Sequence, residues 1–369
     1  MSLFVTAAAG TERALKEELR ELGLRRVRGD RGGVHVDGAR EEAATICLRS
    51  RIAVRVLVEL GRFDCPNEDA LYDGVAAFEW ERWLRTDRTL AVSAVARDSH
   101  LRHTNYIAQR TKDAIVDRQR HREGRRSSVA RHDPDVGIFV HLKRNAAAVF
   151  LDASGGSLHL RGWRTQSGAA PLKETLAAAL LRMSGWDRAA PLVDPMCGSG
   201  TFPIEADLWA RAAPPQDRQR RFGFERWADF DASAAARMAE LRAALGRGVR
   251  REGPPCLGID HDPEVLRVAR ENARRAGSRA DLHVGSLDAG IPRAPGGVVI
   301  VNPPYGQRLG ADRESWRALS RALERVDDAT LAVLLPEEAP RDLLRRAPTA
   351  QHGVFNGPIP CRLVIWAPV

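Results

Sequence analysis

The chain lacks any apolar run approaching the ~20 residues that a membrane-crossing helix needs. Its 369 residues are 44% hydrophobic and 28% charged, which excludes both a membrane-embedded and a disordered class. Cysteine is sparse: Cys47, Cys65, Cys197, Cys256 and Cys361 are odd in number, scattered and never paired as Cys-x-x-Cys. That pattern argues against a disulfide framework and against a zinc site, so no metal is expected. The opening "MSLFVTAAAGTERALKEELRELG" has no basic segment leading into a long apolar stretch, which reads as a cytoplasmic protein. Internal repeats and low-complexity segments are absent too.

Positive charge is in excess. A net charge of +9 and a pI near 9.9 favour a polyanionic partner, since Lys and Arg that neutralise phosphates gain affinity by counterion release. The same composition also serves a merely solvated surface. Clustering favours the first reading: "RQRHREGRR" gathers Arg118, Arg120, Arg122, Arg125 and Arg126 against a single acid, Glu123.

Periodicity divides the chain into modules. "LFVTAA", "GGVHVDG" and the end of "AREEAATICLRSRIAVRVLVELGRF" read as strands around two helices, a small α+β module over residues 1–62. A second module, 63–160, sets "TLAVSAVAR" and "VGIFVHLKRNAAAVFLDAS" as strands around the basic helix "TNYIAQRTKDAIVDRQRHREG". From 161 to 369 short apolar strands alternate with amphipathic helices, the mark of a mostly parallel, doubly wound sheet, that is, an α/β fold. An irregular stretch at about 209–255, rich in Arg, Trp, Pro and Ala, interrupts it after the first strand.

The third module carries the chemistry. "LVDPMCGSGTFPIEA" puts Asp194 at a strand end, then Gly198 and Gly200, then a helix. Such a turn lets backbone approach a ligand, although dinucleotide enzymes and plain tight turns use it as well. Asp260 ends the next strand, where a carboxylate can accept both hydroxyls of a ribose, and Asp288 follows the third, within reach of an adenine amine. Helix capping explains Asp260 poorly, because Asp262-Pro263 is the better cap and first-turn pair.

The buried strand "VVIV" ends in Asn302, Pro303, Pro304 and Tyr305. Pro304 forces Pro303 towards an extended backbone, and neither proline has an N–H. The Asn302 side-chain oxygen and the Pro303 carbonyl are then two acceptors side by side, a match for an exocyclic –NH₂. Holding both hydrogens off the ring plane would aim the nitrogen lone pair at an electrophile, with no strong base required. Tyr305 offers a face for an extruded base, worth about 1 to 3 kcal/mol. The bland alternative is a Pro-Pro turn that simply ends a strand.

"DPMCGSGTFPIEA" and "NPPYG" resemble the first and fourth motifs of class I S-adenosylmethionine-dependent methyltransferases that modify exocyclic amines. "FVTAAAGTERALKEELRELG", "KDAIVDRQR", "LDASGGSLHLRGWR", "APLKETLAAALL", "ARAAPPQDRQRRFGFERW" and "NGPIPCRLVIW" extend the likeness to bacterial THUMP-containing guanine-N2 methyltransferases. The likeness is strongest to the 23S rRNA (guanine-N2)-methyltransferase family, and the resemblance implies its short form, without a fused second methyltransferase.

That resemblance implies a ferredoxin-like domain, a THUMP RNA-binding domain and a C-terminal Rossmann-like catalytic domain in turn. It implies S-adenosylmethionine as cofactor and the N2 amine of a guanine in 23S rRNA as acceptor. The methionine end would lie at Asp194, Met196, Cys197, Gly198, Ser199 and Gly200, the ribose at Asp260. The adenine would meet Ser286, Leu287 or Asp288; many relatives carry an acid where this chain has Ser286. Asn302, Pro303, Pro304 and Tyr305 would hold the guanine, Asn302 also bordering the cofactor. Lys173 and Thr175 in "PLKET" either close over the cofactor or start a helix that docks the two halves. The arginine cluster would grip RNA through phosphates. Two rivals stand: a tRNA guanine-N2 methyltransferase acting on the acceptor stem, and a non-catalytic RNA-binding module.

Overall fold

The computed structural model describes residues 2–164, 172–217, 219–304, 313–340 and 343–369. It forms two compact units: Met1–Thr6, Leu19–Leu158 and Gln219–Ala243 make the first, and Ala7–Glu18, His159–Arg218 and Ala244–Val369 the second. Much of the irregular stretch after the first catalytic strand therefore groups with the N-terminal unit.

The chain opens with β1 (Ser2–Thr6), α1 (Glu12–Glu21), β2 (Arg28–Asp30), β3 (Gly33–Asp37), α2 (Arg40–Arg49) and β4 (Arg55–Asp64). It continues with α3 (Glu68–Ala76), β5 (Thr89–Arg97), α4 (Thr104–Glu123), β6 (Ser128–Val129), β7 (Val136–Lys143) and β8 (Ala146–Asp152). Among the described residues the first unit carries one eight-stranded sheet, ordered β2-β3-β1-β4-β8-β7-β5-β6. Along β7 the residues Val136, Ile138, Val140 and Leu142 are buried and those between are partly exposed, the period of two of a half-buried strand. Arg144 and Asn145, both at positive φ, form the two-residue connection to β8, as a type I′ hairpin requires. β5 pairs with β7 in parallel, which the intervening α4 makes possible. Gly124 ends α4 at φ +67°, a glycine helix stop.

The second unit follows as α5 (Glu174–Met183), β9 (Leu192–Asp194) and α6 (Thr201–Ala210). After α7 (Ala232–Arg247) come β10 (Cys256–Asp260), α8 (Pro263–Ala276), β11 (Asp281–Val284), β12 (Val298–Val301), α9 (Arg313–Glu324), β13 (Thr330–Pro336), β14 (Ala350–Asn356) and β15 (Ile359–Trp366). Its sheet runs β11-β10-β9-β12-β13-β15-β14, parallel except for β15, which pairs antiparallel with both β13 and β14. Strand alternation splits the core into two layers. Leu192, Val298, Ile300 and Leu334 face α5 and α6 through Leu180 and Phe202. Val193, Val299, Val301 and Val333 face α9 through Leu319 and Leu323. A sheet covered on both faces explains why β12 is uninterrupted valine and isoleucine.

The doubly wound reading therefore holds. α3, α7 and β14 escape the sequence. α7 buries only Ala234 and Met238 and so shows no apolar stripe, and β14 is an edge strand of mostly exposed or half-buried residues. No helix among the described residues is long and apolar enough to cross a membrane.

Candidate functional site

β9 ends on Asp194, β10 ends on Asp260, and β12 runs into Asn302. These strands are neighbours and parallel, so the three side chains share one carboxyl-end edge of the sheet. Strand order reverses there: from β9 the chain adds β10 and β11 on one side and returns to place β12 on the other. Open α/β sheets form their ligand crevice at such a point.

The turn after β9 is built from backbone. Cys197 N–H donates to Ile259 O at 2.8 Å and Gly200 N–H to Cys197 O at 2.9 Å. Gly198 and Gly200 take φ of +54° and +84°, where a side chain is strained. Gly200 caps α6 without a side-chain hydrogen bond, so the first amides of the helix have no partner within it. Gly198 N–H donates to Asp260 Oδ2 at 2.9 Å, and Asp262 N–H donates to Asp260 Oδ1 at 3.0 Å. Each carboxylate oxygen keeps lone-pair capacity for a further donor. The Asp262 side chain accepts from Glu264 N–H and Val265 N–H with Pro263 in the first turn, the cap read from sequence.

Asp194 is 2% exposed, and its Oδ1 accepts from Met196 N–H at 3.1 Å. Burial pushes its carboxyl up to about 8; the Met196 amide opposes that and the Asp260 charge adds to it. Among the described residues no cation stands against it. Burial raises the Cys197 thiol far above its usual value, and the two acids raise it further, so it is an inert packing group beside the turn.

Asn302 Oδ1 is buried and without a hydrogen-bond partner among the described residues. Pro303 is buried and Pro304 half-buried beside it, whereas Tyr305 lies outside the described residues. After β11, Ser286 and Asp288 are both exposed, while Leu287 packs partly against the layer holding Val193 and Val299. Lys173 is exposed at the N-cap of α5, and Thr175 Oγ1 is buried without a partner among the described residues.

Sequence reasoning missed the groups that surround the turn. Arg164 donates from Nε to Glu174 at 2.7 Å, from Nη1 to Ser199 Oγ at 2.9 Å and from Nη2 to Thr201 Oγ1 at 2.8 Å. Asn272 on α8 donates from Nδ2 to Ser199 O at 3.1 Å. Burial raises the Glu174 carboxyl, and Arg164 counters this.

In the first unit the arginine cluster splits. Arg118 forks onto Glu81 at 3.0 and 3.3 Å and donates to Ala76 O at 2.9 Å. Arg122 reaches the same Glu81 at 3.2 Å, and Arg120 pairs with Asp117 at 3.2 Å. Arg125 and Arg126 follow the Gly124 stop and are exposed. Buried Gln119 holds the segment beyond them, accepting from Ser127 N–H at 2.9 Å and donating to Ser127 Oγ at 3.1 Å.

Three family models match the chain. Residues 2–57 match the RlmL ferredoxin-like domain, 65–152 the THUMP domain and 161–365 the RMKL-like methyltransferase domain. The ribosomal RNA large subunit methyltransferase K/L of Methylococcus capsulatus is 41% identical over 377 residues, covering 98% of this chain and 50% of its own length. The chain thus spans about half the length of the curated relatives it matches. The crystal structure of SMU.472, assigned as a methyltransferase and complexed with SAH, superposes with a TM-score of 0.87 at 30% identity, covering 100% of this chain and 98% of that one. A predicted N6-adenine-specific DNA methylase from Listeria monocytogenes superposes with 0.87 at 27%, covering 100% and 96%. With more than half of its length inside the matched methyltransferase model, the chain belongs to the RMKL-like methyltransferase domain family.

Proposed function

We propose that the chain transfers a methyl group from S-adenosylmethionine to the N2 amine of a guanine in 23S rRNA, in the cytoplasm. The observation that carries this reading is Asn302 Oδ1, a buried acceptor at the end of β12 without a donor among the described residues. A buried carbonyl oxygen left unpaired costs free energy, and a substrate amine would repay it. The Pro303 carbonyl would be the second acceptor for that amine.

The neighbouring groups suit the cofactor. Asp194 is a buried carboxyl without a cation among the described residues, and a ligand ammonium would supply one. Asp260 can accept ribose hydroxyls while holding the glycine turn, and the open amides at the start of α6 suit a carboxylate. The adenine would meet Ser286, Leu287 and Asp288, with the exposed Ser286 or Asp288 accepting from its amine. When bound there, S-adenosylmethionine supplies an electrophilic methyl group on a sulfonium. Asn302 and Pro303 hold both amine hydrogens, which frees the nitrogen lone pair; Tyr305 stacks on the extruded base and Pro304 fixes the run.

In the first unit the exposed Arg125 and Arg126 contact phosphates, which positions RNA without reading its sequence. The large-subunit rRNA relatives favour rRNA over tRNA as the substrate. Nucleoside mass spectrometry of rRNA and tRNA from a strain lacking the gene tests the proposal. Loss of one N2-methylguanosine from 23S rRNA is expected, and loss from tRNA alone would overturn the substrate.

A further inference from the structure

We propose that Arg164 and Asn272 are positioning residues that hold the glycine turn in its ligand-ready shape; this rests on the reading of that turn as the cofactor site. Both grip one residue, Ser199, from opposite chemical ends. Arg164 Nη1 takes its hydroxyl at 2.9 Å and Asn272 Nδ2 its carbonyl at 3.1 Å. Ser199 lies between Gly198 and Gly200, the two positive-φ residues whose freedom is the largest entropic cost of ordering the turn.

Arg164 does more than touch Ser199. Its Nη2 donates to Thr201 Oγ1 at 2.8 Å and to Leu172 O at 3.2 Å, and its Nε donates to Glu174 at 2.7 Å. Four of its five N–H groups are used among the described residues, and its side chain is 13% exposed. The planar fork therefore locks the turn, the first residue of α6 and the start of α5 to one another. A lysine, with three donors on a single point, cannot span these acceptors. Asn272 is fully buried on α8 and contributes the opposing bond. A turn held in place before the ligand arrives binds more tightly because less ordering remains to be done.

The test uses the full chain, with S-adenosylhomocysteine as the calorimetric probe and amide hydrogen exchange of the free protein as a second readout. Arg164→Lys is expected to weaken the probe by about tenfold, with the loss appearing in the cofactor KM and little in kcat at saturation. Exchange should quicken at the Gly198 and Gly200 amides, which are bonded to Asp260 and Cys197, and stay unchanged in β12 and β13. Affinity within twofold of the wild type, or exchange that quickens everywhere, would overturn the proposal. Should Arg164→Lys fail to fold, Ser199→Ala removes only the gripped hydroxyl; faster exchange at the Gly198 and Gly200 amides of the free protein supports the proposal, and unchanged exchange there overturns it. A wild-type chain that ignores the probe would defeat the cofactor reading, and the exchange arm would still decide this one.

Discussion

The Gly198 N–H donates to Asp260 Oδ2 at 2.9 Å, tying the turn after β9 to the end of β10. The other oxygen of the same carboxylate accepts from Asp262 N–H. Asp260 thus organises the glycine turn from the carboxyl end of its strand. In Asp260→Asn one of these amides would meet an NH₂ group, donor against donor, at a cost of about 1 to 3 kcal/mol. Calorimetry should show S-adenosylhomocysteine binding about tenfold or more weaker with the fold intact. Unaltered affinity would mean that the turn does not depend on this carboxylate.

Asp194 makes stability pH-dependent. Its carboxyl titrates near 3.8 when unfolded and about 8 when folded, because burial disfavours the charge. Between those values the folded state holds one more proton, so stability falls as pH rises, by up to about 1.4 kcal/mol per pH unit. The contribution is complete below the lower value and gone above the upper. Urea unfolding across that window should show the slope in the free wild type and its loss in Asp194→Asn; parallel profiles would contradict the burial argument.

Gly297 sets the spacing between β12 and β9. A Cβ there would lie 2.1 Å from Pro191 O, the same carbonyl that accepts from Val298 N–H at 3.0 Å. Gly297→Ala must push apart the strand that carries Asn302, at a cost of about 1 to 3 kcal/mol or more. Gly353→Ala, with open space around its Cβ, should stay within about 0.5 kcal/mol of the wild type. Denaturant midpoints of the two variants check the contrast.

What the sequence discloses is local. "VVIV" announces a strand covered on both faces, Asp262-Pro263 announces a helix start, and Asp194, Asp260 and Asn302 converge because each ends a neighbouring strand. The partners of Arg164 lie up to 37 residues away and Asn272 is 73 residues from Ser199, so no spacing pattern reveals them. Periodicity also leaves open which face of α4 meets Glu81, 37 residues before Arg118. A cluster of five arginines therefore reads as one patch, although Arg118 is spent on a carboxylate within the unit and Arg125 and Arg126 are exposed.

That division predicts two phenotypes. Arg125→Ala with Arg126→Ala should weaken RNA binding and lower the slope of log affinity against log salt by about 1 to 2, at somewhat under one per phosphate contact. Arg118→Ala should leave that slope alone and cost about 1 kcal/mol of stability by removing the fork on Glu81, which Arg122 alone would then contact, and the bond to Ala76 O. Filter binding over a salt series, with thermal melts of the same proteins, separates them. A slope that falls with Arg118→Ala would return that side chain to the RNA surface.

The central claim is that Asn302 aligns a guanine amine for methyl transfer. Its most direct test is nucleoside mass spectrometry of 23S rRNA incubated with S-adenosylmethionine and either the purified chain or its Asn302→Ala variant. The wild type should form N2-methylguanosine, and the variant should turn over about 100 to 1,000 times more slowly while binding the cofactor within a few-fold of normal. A variant with wild-type turnover, or a methyl group found on any atom other than guanine N2, would contradict the account.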